Sequence, residues 1–486
     1  MSYRFLIAVC LLIISSRATT SAQAQSNLQT ELTQWQQQDL MQHSTVGFYA
    51  IDAETGKVLA QSNPQLSITP ASTQKLITTS TALELLGAGY RFKTTLTYSG
   101  KLENDTLFGD IVLIAGGDPA LGSKYFKDYT PYQNFVAKWA EAISNLNIKA
   151  VTGNIFIDLS TYDDQSIPNT WIWEDMGNYY GAGVFALSAY DNTYEIHFSS
   201  PARANEQTKI EYTSPVLPKV DFDNQVISSD DNWDNAYVFG SPLDSRRVLR
   251  GSIPKNRRDF KVKASIPNPP MLVGEQLMLE LALSEIQFNG RILTGTYDFK
   301  VKPDTISTIE SPRLAKIIDV TNHESVNLFA EHCLKQIAYE TTGKGTTKAG
   351  LEAVSEFWES KGMDTKSLFL EDGSGLSRFN ALTPQQMVFV LNYMKHSSIN
   401  SEAFYNSLPT PPNGTLWYLN EANFPQNSLY VKSGSMTRVR SFAGQLTTKE
   451  GKNILFCIIL NNFDCSQMQA VKAIEKLLVK MRAWNY

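Results

Sequence analysis

The chain has 486 residues, 42% of them apolar and 19% charged, with a formal net charge of −5. That length exceeds one ordinary hydrophobic core, so two or three domains are expected, and the composition excludes global disorder. The small negative charge leaves no electrostatic case for nucleic acid or an anionic membrane surface. At the N-terminus Arg4 precedes the apolar stretch Phe5 to Ile14, and Ala22-Gln23-Ala24 forms an A-x-A-like cleavage site. Residues 1–24 are therefore expected to be a signal peptide, too short in its apolar run to be a permanent span. The mature protein is expected to be exported, periplasmic or extracytoplasmic. It would be soluble or loosely associated with wall or membrane, without a transmembrane anchor.

Leu28, Leu32, Trp35 and Leu40 fall at helical spacing, and Val46 to Ile51 with Lys57 to Ala60 read as a β-hairpin around Glu54-Thr55-Gly56. Pro70-Ala71-Ser72-Thr73-Gln74-Lys75 then opens an apolar run, Leu76 to Leu86, that Gly87 closes. This predicts a helix with Ser72 at or beside its N-terminus and Lys75 one turn on. From Phe92 the pattern becomes strand-like and punctuated by turns, apart from a helix expected over Tyr132 to Leu146, and stays so to about Val301. Helical patterns return from Leu314, notably Val326 to Tyr339 and Leu351 to Lys361. Three neighbouring strands follow, at Leu429 to Lys432, Ser441 to Leu446 and Asn453 to Asn461. A closing helix carries Met468, Val471, Ile474, Leu478 and Met481 on one face. The expected fold is α+β: residues 25–92 and 306–486 share one sheet, and 93–305 form an inserted, β-rich module of two nested subdomains.

Three short motifs carry chemistry. Ser72-x-x-Lys75 puts an amine within reach of a serine hydroxyl at the positive end of a helix, one way to activate serine without histidine. A second copy, Ser252-Ile253-Pro254-Lys255, contains a proline and leads into basic residues, so it reads as a surface turn. Lys432-Ser433-Gly434-Ser435 ends a strand where a lysine and a hydroxyl can hold a carboxylate and glycine admits close approach of backbone. Ser325-Val326-Asn327 opens an amphipathic helix and is preferred over Ser398-Ile399-Asn400 for that context. Asp372 to Arg378 reads as a tight structural loop near the site. The histidines (His43, His197, His323, His332, His396) show no metal spacing. Without Cys10 the cysteines are odd in number, and Cys457 reads as core filling.

Taken in this order, the three motifs resemble those of the penicillin-binding and serine β-lactamase superfamily. The gap of about 250 residues between Ser72 and Ser325 resembles the low-molecular-mass class C penicillin-binding proteins, D-alanyl-D-alanine carboxypeptidases/endopeptidases with a large insertion there. The resemblance extends to Gly116-Gly117-Asp118-Pro119, Trp171 to Asp175, Tyr180-Gly181-Ala182, Ala186-Leu187-Ser188 and Asp372 to Arg378. Two departures are Ser433 where the family usually has threonine and Gly183 where it more often has proline.

The resemblance implies Ser72 as acyl-enzyme nucleophile and Lys75 as its base, with burial and the charge of Lys432 lowering the Lys75 pKa. It implies Ser325 as proton relay, Asn327 as the group orienting Lys75 and substrate, and Lys432 with Ser433 as carboxylate holders. Gly434 admits the substrate, and the N–H groups of Ser72 and Ser435 form the oxyanion hole. Asp175 and Tyr180, with Trp173 and Met436, would meet the side-chain end of a diamino acid in the peptidoglycan stem peptide. β-Lactams would be inhibitors, and neither metal nor cofactor would be needed. The alternatives are a β-lactamase or D-aminopeptidase-like hydrolase of the same fold, or a catalytically silent peptidoglycan-binding protein.

Overall fold

The computed structural model describes residues 27–484 except Val301 and Gln426; the expected export segment, 1–24, lies outside them. The two ends of the described chain build one antiparallel sheet of five strands. Its order is Leu429–Met436, Val439–Thr447, Asn453–Asn461, Thr45–Asp52, Val58–Ser62. The first strand of the chain pairs with the last in unbroken register, from Thr45 opposite Asn461 to Asp52 opposite Ile454.

The continuous apolar run of Asn453–Asn461 is that of a central strand covered on both faces. Ile454, Phe456, Ile458 and Leu460 join a core with Leu28, Leu32 and Trp35 of helix Leu28–Gln36 and with the closing helix Gln467–Ala483. Leu455, Cys457 and Ile459 face the other way, into the core beneath helices Lys75–Leu86 and Asn327–Thr342. Cys457 is core filling, as its sequence context indicates. Met468 departs from expectation: it sits in the first turn of the closing helix and is 46% exposed, while Val471, Ile474, Leu478 and Met481 are buried.

The excursion from this sheet leaves and returns at one place. Strand Lys93–Glu103 pairs with Thr106–Ala115 on one side and with Asp304–Glu310 on the other, Lys93 standing opposite Glu310. Apolar residues of this second sheet, among them Leu96, Ile111 and Leu113, belong to the same continuous core as Leu76, Ile77 and Phe329. A separate small core around Ile196, Val238, Leu249 and Val262 serves the short strands between residues 193 and 265. Two helices cover the second sheet. Phe135–Ser144 falls where the sequence predicts it, whereas Pro269–Leu283 is missed by a reading of that stretch as β-rich. Its start was visible: Asn268 caps Met271 N at 3.1 Å, and Pro269-Pro270 occupies the first turn. The second Ser-x-x-Lys copy is also corrected. Ser252–Pro254 is a strand with Ile253 and Pro254 buried, paired in parallel with Ile227–Ser229 and not a surface turn.

Candidate active site

Ser72 stands in a 3-10 turn, Ala71–Gln74, that runs directly into helix Lys75–Leu86. Ala71 before it is held at φ +48°, a conformation that a side chain adopts only where surrounding contacts enforce it. Those contacts come from the sheet: Ser441 Oγ donates to Pro70 O at 2.5 Å and lies 3.1 Å from Thr73 Oγ1. Gly434 is required by approach. A Cβ there would lie 2.3 Å from Ser441 Oγ, 2.7 Å from Pro70 O and 3.0 Å from Ser72 N. The edge strand thus lies against the peptide of Ser72 itself.

Lys75 is fully buried, and its Nζ meets three groups: Ser72 Oγ at 3.0 Å, Asn327 Oδ1 at 2.5 Å and Ser374 O at 2.8 Å. A neutral amine has two hydrogens and one lone pair. Two of the three partners, the amide and peptide oxygens, only accept, so they take both hydrogens and the lone pair is left facing the Ser72 hydroxyl. Burial favours that neutral form and lowers the Lys75 pKa to about 7, against the opposing pull of Asp372 and then Glu331. Burial is therefore the main cause. The repulsion expected between the two lysines bears on Lys432, whose pKa lies well below its ordinary value through burial first, then Lys75 and Arg440.

Lys432 is likewise fully buried, donating to Ser325 Oγ at 2.9 Å and to Ser433 O at 2.8 Å. It reaches the cavity through Ser325 and does not line it. Ser325 lies in the connection between helices Leu314–His323 and Asn327–Thr342 at φ +57°, two residues before the helix that its motif was expected to open. Asn327 joins Lys75 to the excursion, its Nδ2 donating to Tyr180 O at 2.8 Å. Ser433 Oγ donates to Thr415 Oγ1 at 2.9 Å.

The loop from Asp372 to Arg378 contributes more than its sequence indicates. Gly375, at φ +80°, packs so closely that a Cβ would lie 2.1 Å from Ala71 O. Gly373 O accepts from Thr78 Oγ1 at 2.6 Å. The Asp372 carboxylate, fully buried, accepts from Gly375 N, Ser377 N, Asn380 Nδ2 and, across from the excursion, Trp171 Nε1 at 2.8 Å. His332 on helix Asn327–Thr342 was also missed. It donates from Nδ1 to Gly117 O and meets Ser188 Oγ, each at 2.8 Å, so the Gly117 and Ser188 motifs brace that helix from behind.

A cavity of about 480 Å³ opens over Ser72, walled by Ser325, Asn327, Ser433 and Ser435 on one side and by Asp175, Tyr180 and Tyr237 on the other. Met436, Arg378 and Arg440 also line it. Trp173 does not; it is 54% exposed, with its ring stacked on Phe239. Asp175 is buried, and that burial raises its pKa to about 6 against the opposing charge of Arg378. Arg440, 7% exposed, lies over the Tyr418 ring at 4.6 Å with no carboxylate in ion-pair range among the described residues.

The rival motifs lie elsewhere. Ser398 and Asn400 bond Glu84, nine residues beyond Lys75 and about 13 Å down that helix. Lys255 pairs with Asp230 in the excursion.

A serine and two buried lysines, set between a helix-capped turn and the edge of an antiparallel sheet, define a serine acyl-transfer enzyme of α+β fold. Residues 28–483 match the D-Ala-D-Ala carboxypeptidase 3 (S13) family, and the chain belongs to that family of serine-type carboxypeptidases. It is 26% identical over 428 residues to a D-alanyl-D-alanine carboxypeptidase of Actinomadura sp., covering 85% of this chain and 77% of that one. It is 23% identical over 441 residues to D-alanyl-D-alanine carboxypeptidase DacB of Haemophilus influenzae, covering 89% and 88%. In fold it resembles the crystal structure of penicillin binding protein 4 (dacB) from Haemophilus influenzae, with a TM-score of 0.79, 21% identity and coverage of 95% and 100%. The same protein complexed with a β-lactam matches with a TM-score of 0.75, 20% identity and coverage of 94% and 100%.

Proposed function

We propose that this chain removes the terminal D-alanine of peptidoglycan stem peptides through an acyl-enzyme on Ser72, and that β-lactams acylate the same serine. The observation that carries this reading is the environment of Lys75 Nζ, which leaves the amine lone pair to Ser72 Oγ.

Ser72 Oγ attacks the carbonyl carbon of the penultimate D-alanine while its proton passes to Lys75. The N–H groups of Ser72 and Ser435 receive the developing oxyanion. Val431 N, on the same edge strand, donates outward to Pro409 O at 3.1 Å, so by strand alternation the N–H of Ser435 also faces the open edge. When the C–N bond breaks, Ser325 gives a proton to the leaving amine and is reprotonated through Lys432, which is restored in turn by the proton that Lys75 took from Ser72. Water then cleaves the ester, releasing the shortened peptide and free Ser72. Ser433 and Gly434 receive the terminal carboxylate along the strand edge, and the Arg440 guanidinium supplies the positive charge that the deeply buried Lys432 withholds.

Residues 1–24 act as the export signal, which delivers the enzyme to the cell wall. Residues 25–92 and 306–486 form the penicillin-binding domain, and 93–305 an inserted module of two subdomains. That module joins the site through Trp171 and Tyr180 and sets substrate choice through Asp175 and Tyr180, with Met436 opposite. A buried carboxylate facing the cavity suits the free ammonium of a stem-peptide diamino acid such as meso-diaminopimelate, its methylene chain enclosed by Tyr180 and Met436.

The wild-type chain is therefore expected to release D-alanine from a pentapeptide that bears such a free amine. Asp175→Ala should slow that release by about tenfold or more, the scale of one charge-assisted hydrogen bond, and leave the rate of penicillin acylation within about twofold. Equal loss in both reactions, or loss in neither, would remove Asp175 from substrate recognition. Failure of the wild type to release D-alanine would remove the function itself.

A further inference from the structure

Asn327 and Glu331 are one helical turn apart and project from the same face of helix Asn327–Thr342. Asn327 touches Lys75 directly. Glu331, 1% exposed, does so at one remove: its carboxylate accepts from Gly373 N at 3.0 Å and from Ser374 N at 2.7 Å, and the carbonyl of that same Ser374 accepts from Lys75 Nζ at 2.8 Å. We propose that Glu331 is a positioning residue for the general base, holding the Ser374 peptide so that its carbonyl takes one Lys75 hydrogen and the amine lone pair stays on Ser72.

The proposal rests on the reading of Lys75 as base and explains three features that this reading leaves unused. The first is a carboxylate in the apolar interior, which persists only if its oxygens are satisfied, and three contacts from two successive peptide N–H groups satisfy this one. The second is the glycine at 373, where a Cβ would lie 3.0 Å from both Ala330 O and Leu334 Cβ. Only a bare backbone brings both N–H groups onto the carboxylate without displacing the helix. The third is the bond from Thr78 Oγ1 to Gly373 O, which ties the same peptide to the nucleophile helix.

Glu331 also bears on Lys75 through its charge. The charged groups that act on the Lys75 amine are Asp372 and Glu331, which favour its protonated form; Lys432 nearby is the one lowered, by burial first and then by repulsion from Lys75 and from Arg440. Burial raises the Glu331 pKa to about 7, with Asp372 adding to it and the Gly373 and Ser374 N–H groups opposing. Removing the Glu331 charge therefore makes Lys75 easier to deprotonate.

The test is the rate of acylation by a fluorescent penicillin as a function of pH, on the full chain. Glu331→Gln keeps an acceptor for the Ser374 N–H and removes the charge, so the acid limb is expected to move to lower pH, by less than about one unit because Glu331 itself takes up a proton near 7. A merely structural role would lower the rate or the melting temperature and leave the limb in place, and an unmoved limb overturns the proposal. If Glu331→Gln does not fold, Glu331→Asp decides. It keeps the charge but draws the acceptor back by one methylene, so the plateau rate should fall about tenfold or more with the limb unmoved; an unchanged plateau overturns the proposal. A wild-type chain that takes no penicillin at any pH overturns instead the reading of Ser72 and Lys75, a result separate from either variant's.

Discussion

Lys75→Ala is expected to slow penicillin acylation by roughly 10²–10⁴-fold at neutral pH, the range that a positioned general base contributes. Ser72 would keep its turn, since Ala71, Thr73 and Pro70 are fixed by the sheet and not by the lysine. What disappears is the only amine in hydrogen-bond reach of Ser72 Oγ among the described residues. The wild-type rate should itself depend on pH. The folded Lys75 pKa is depressed to about 7, so the amine is free to take the serine proton above that pH and is blocked below it. Acylation should then fall about tenfold for each pH unit below 7, the slope of a single proton. Lys75→Ala, without that proton, should show no such limb. A variant that kept both the rate and the limb would place the base elsewhere.

Asp372→Ala should cause the largest loss of stability. The wild-type carboxylate accepts from Gly375 N, Ser377 N, Asn380 Nδ2 and Trp171 Nε1, all in the interior. Each stranded donor costs about 1–3 kcal/mol. Water entering the vacated space recovers part of that, so the net loss is about 4 kcal/mol or more, comparable with breaking a buried charge network. Thermal unfolding of Asp372→Ala beside Ser72→Ala measures it: the first should melt many degrees lower and the second within a few degrees of wild type. Acylation by any folded Asp372→Ala should also be impaired, because the loop that presents Ser374 O is released. Equal melting of the two variants would show that the loop holds itself.

Local patterns account for what was legible in the sequence. Ser72 and Lys75 are three residues apart on one turn, and Lys432 to Ser435 lie along a single strand, so spacing alone brings each set together. The apolar run at Asn453–Asn461 reads as a central strand because alternate residues enter two different cores. Helix Pro269–Leu283 was obscured by apolar residues on its open side, with Leu279 at 59% and Leu283 at 70% exposure, which blurs the one-sided pattern that marks a surface helix.

The groups around Lys75 were beyond any local rule. Lys75 meets the Ser374 carbonyl across 299 positions, and Trp171 meets Asp372 across 201. A backbone carbonyl leaves no trace in residue identity, Glu331 belongs to no motif, and the stretch that Asp372 opens shows a tight loop near the site but not what its carboxylate binds. The one visible sign was a glutamate on the face that Asn327 marks as facing the site. Lys432 shows the converse. Its motif is plain in the sequence, but the complete burial that separates its amine from the cavity depends on how the strand packs.

The central claim is that Ser72 is the residue acylated, and peptide mass spectrometry after incubation with benzylpenicillin tests it most directly. The account predicts one penicilloyl group per chain, carried by the peptide containing Ser72, and no adduct in Ser72→Ala. An unmodified wild-type chain, or an adduct on another serine such as Ser252, would contradict it.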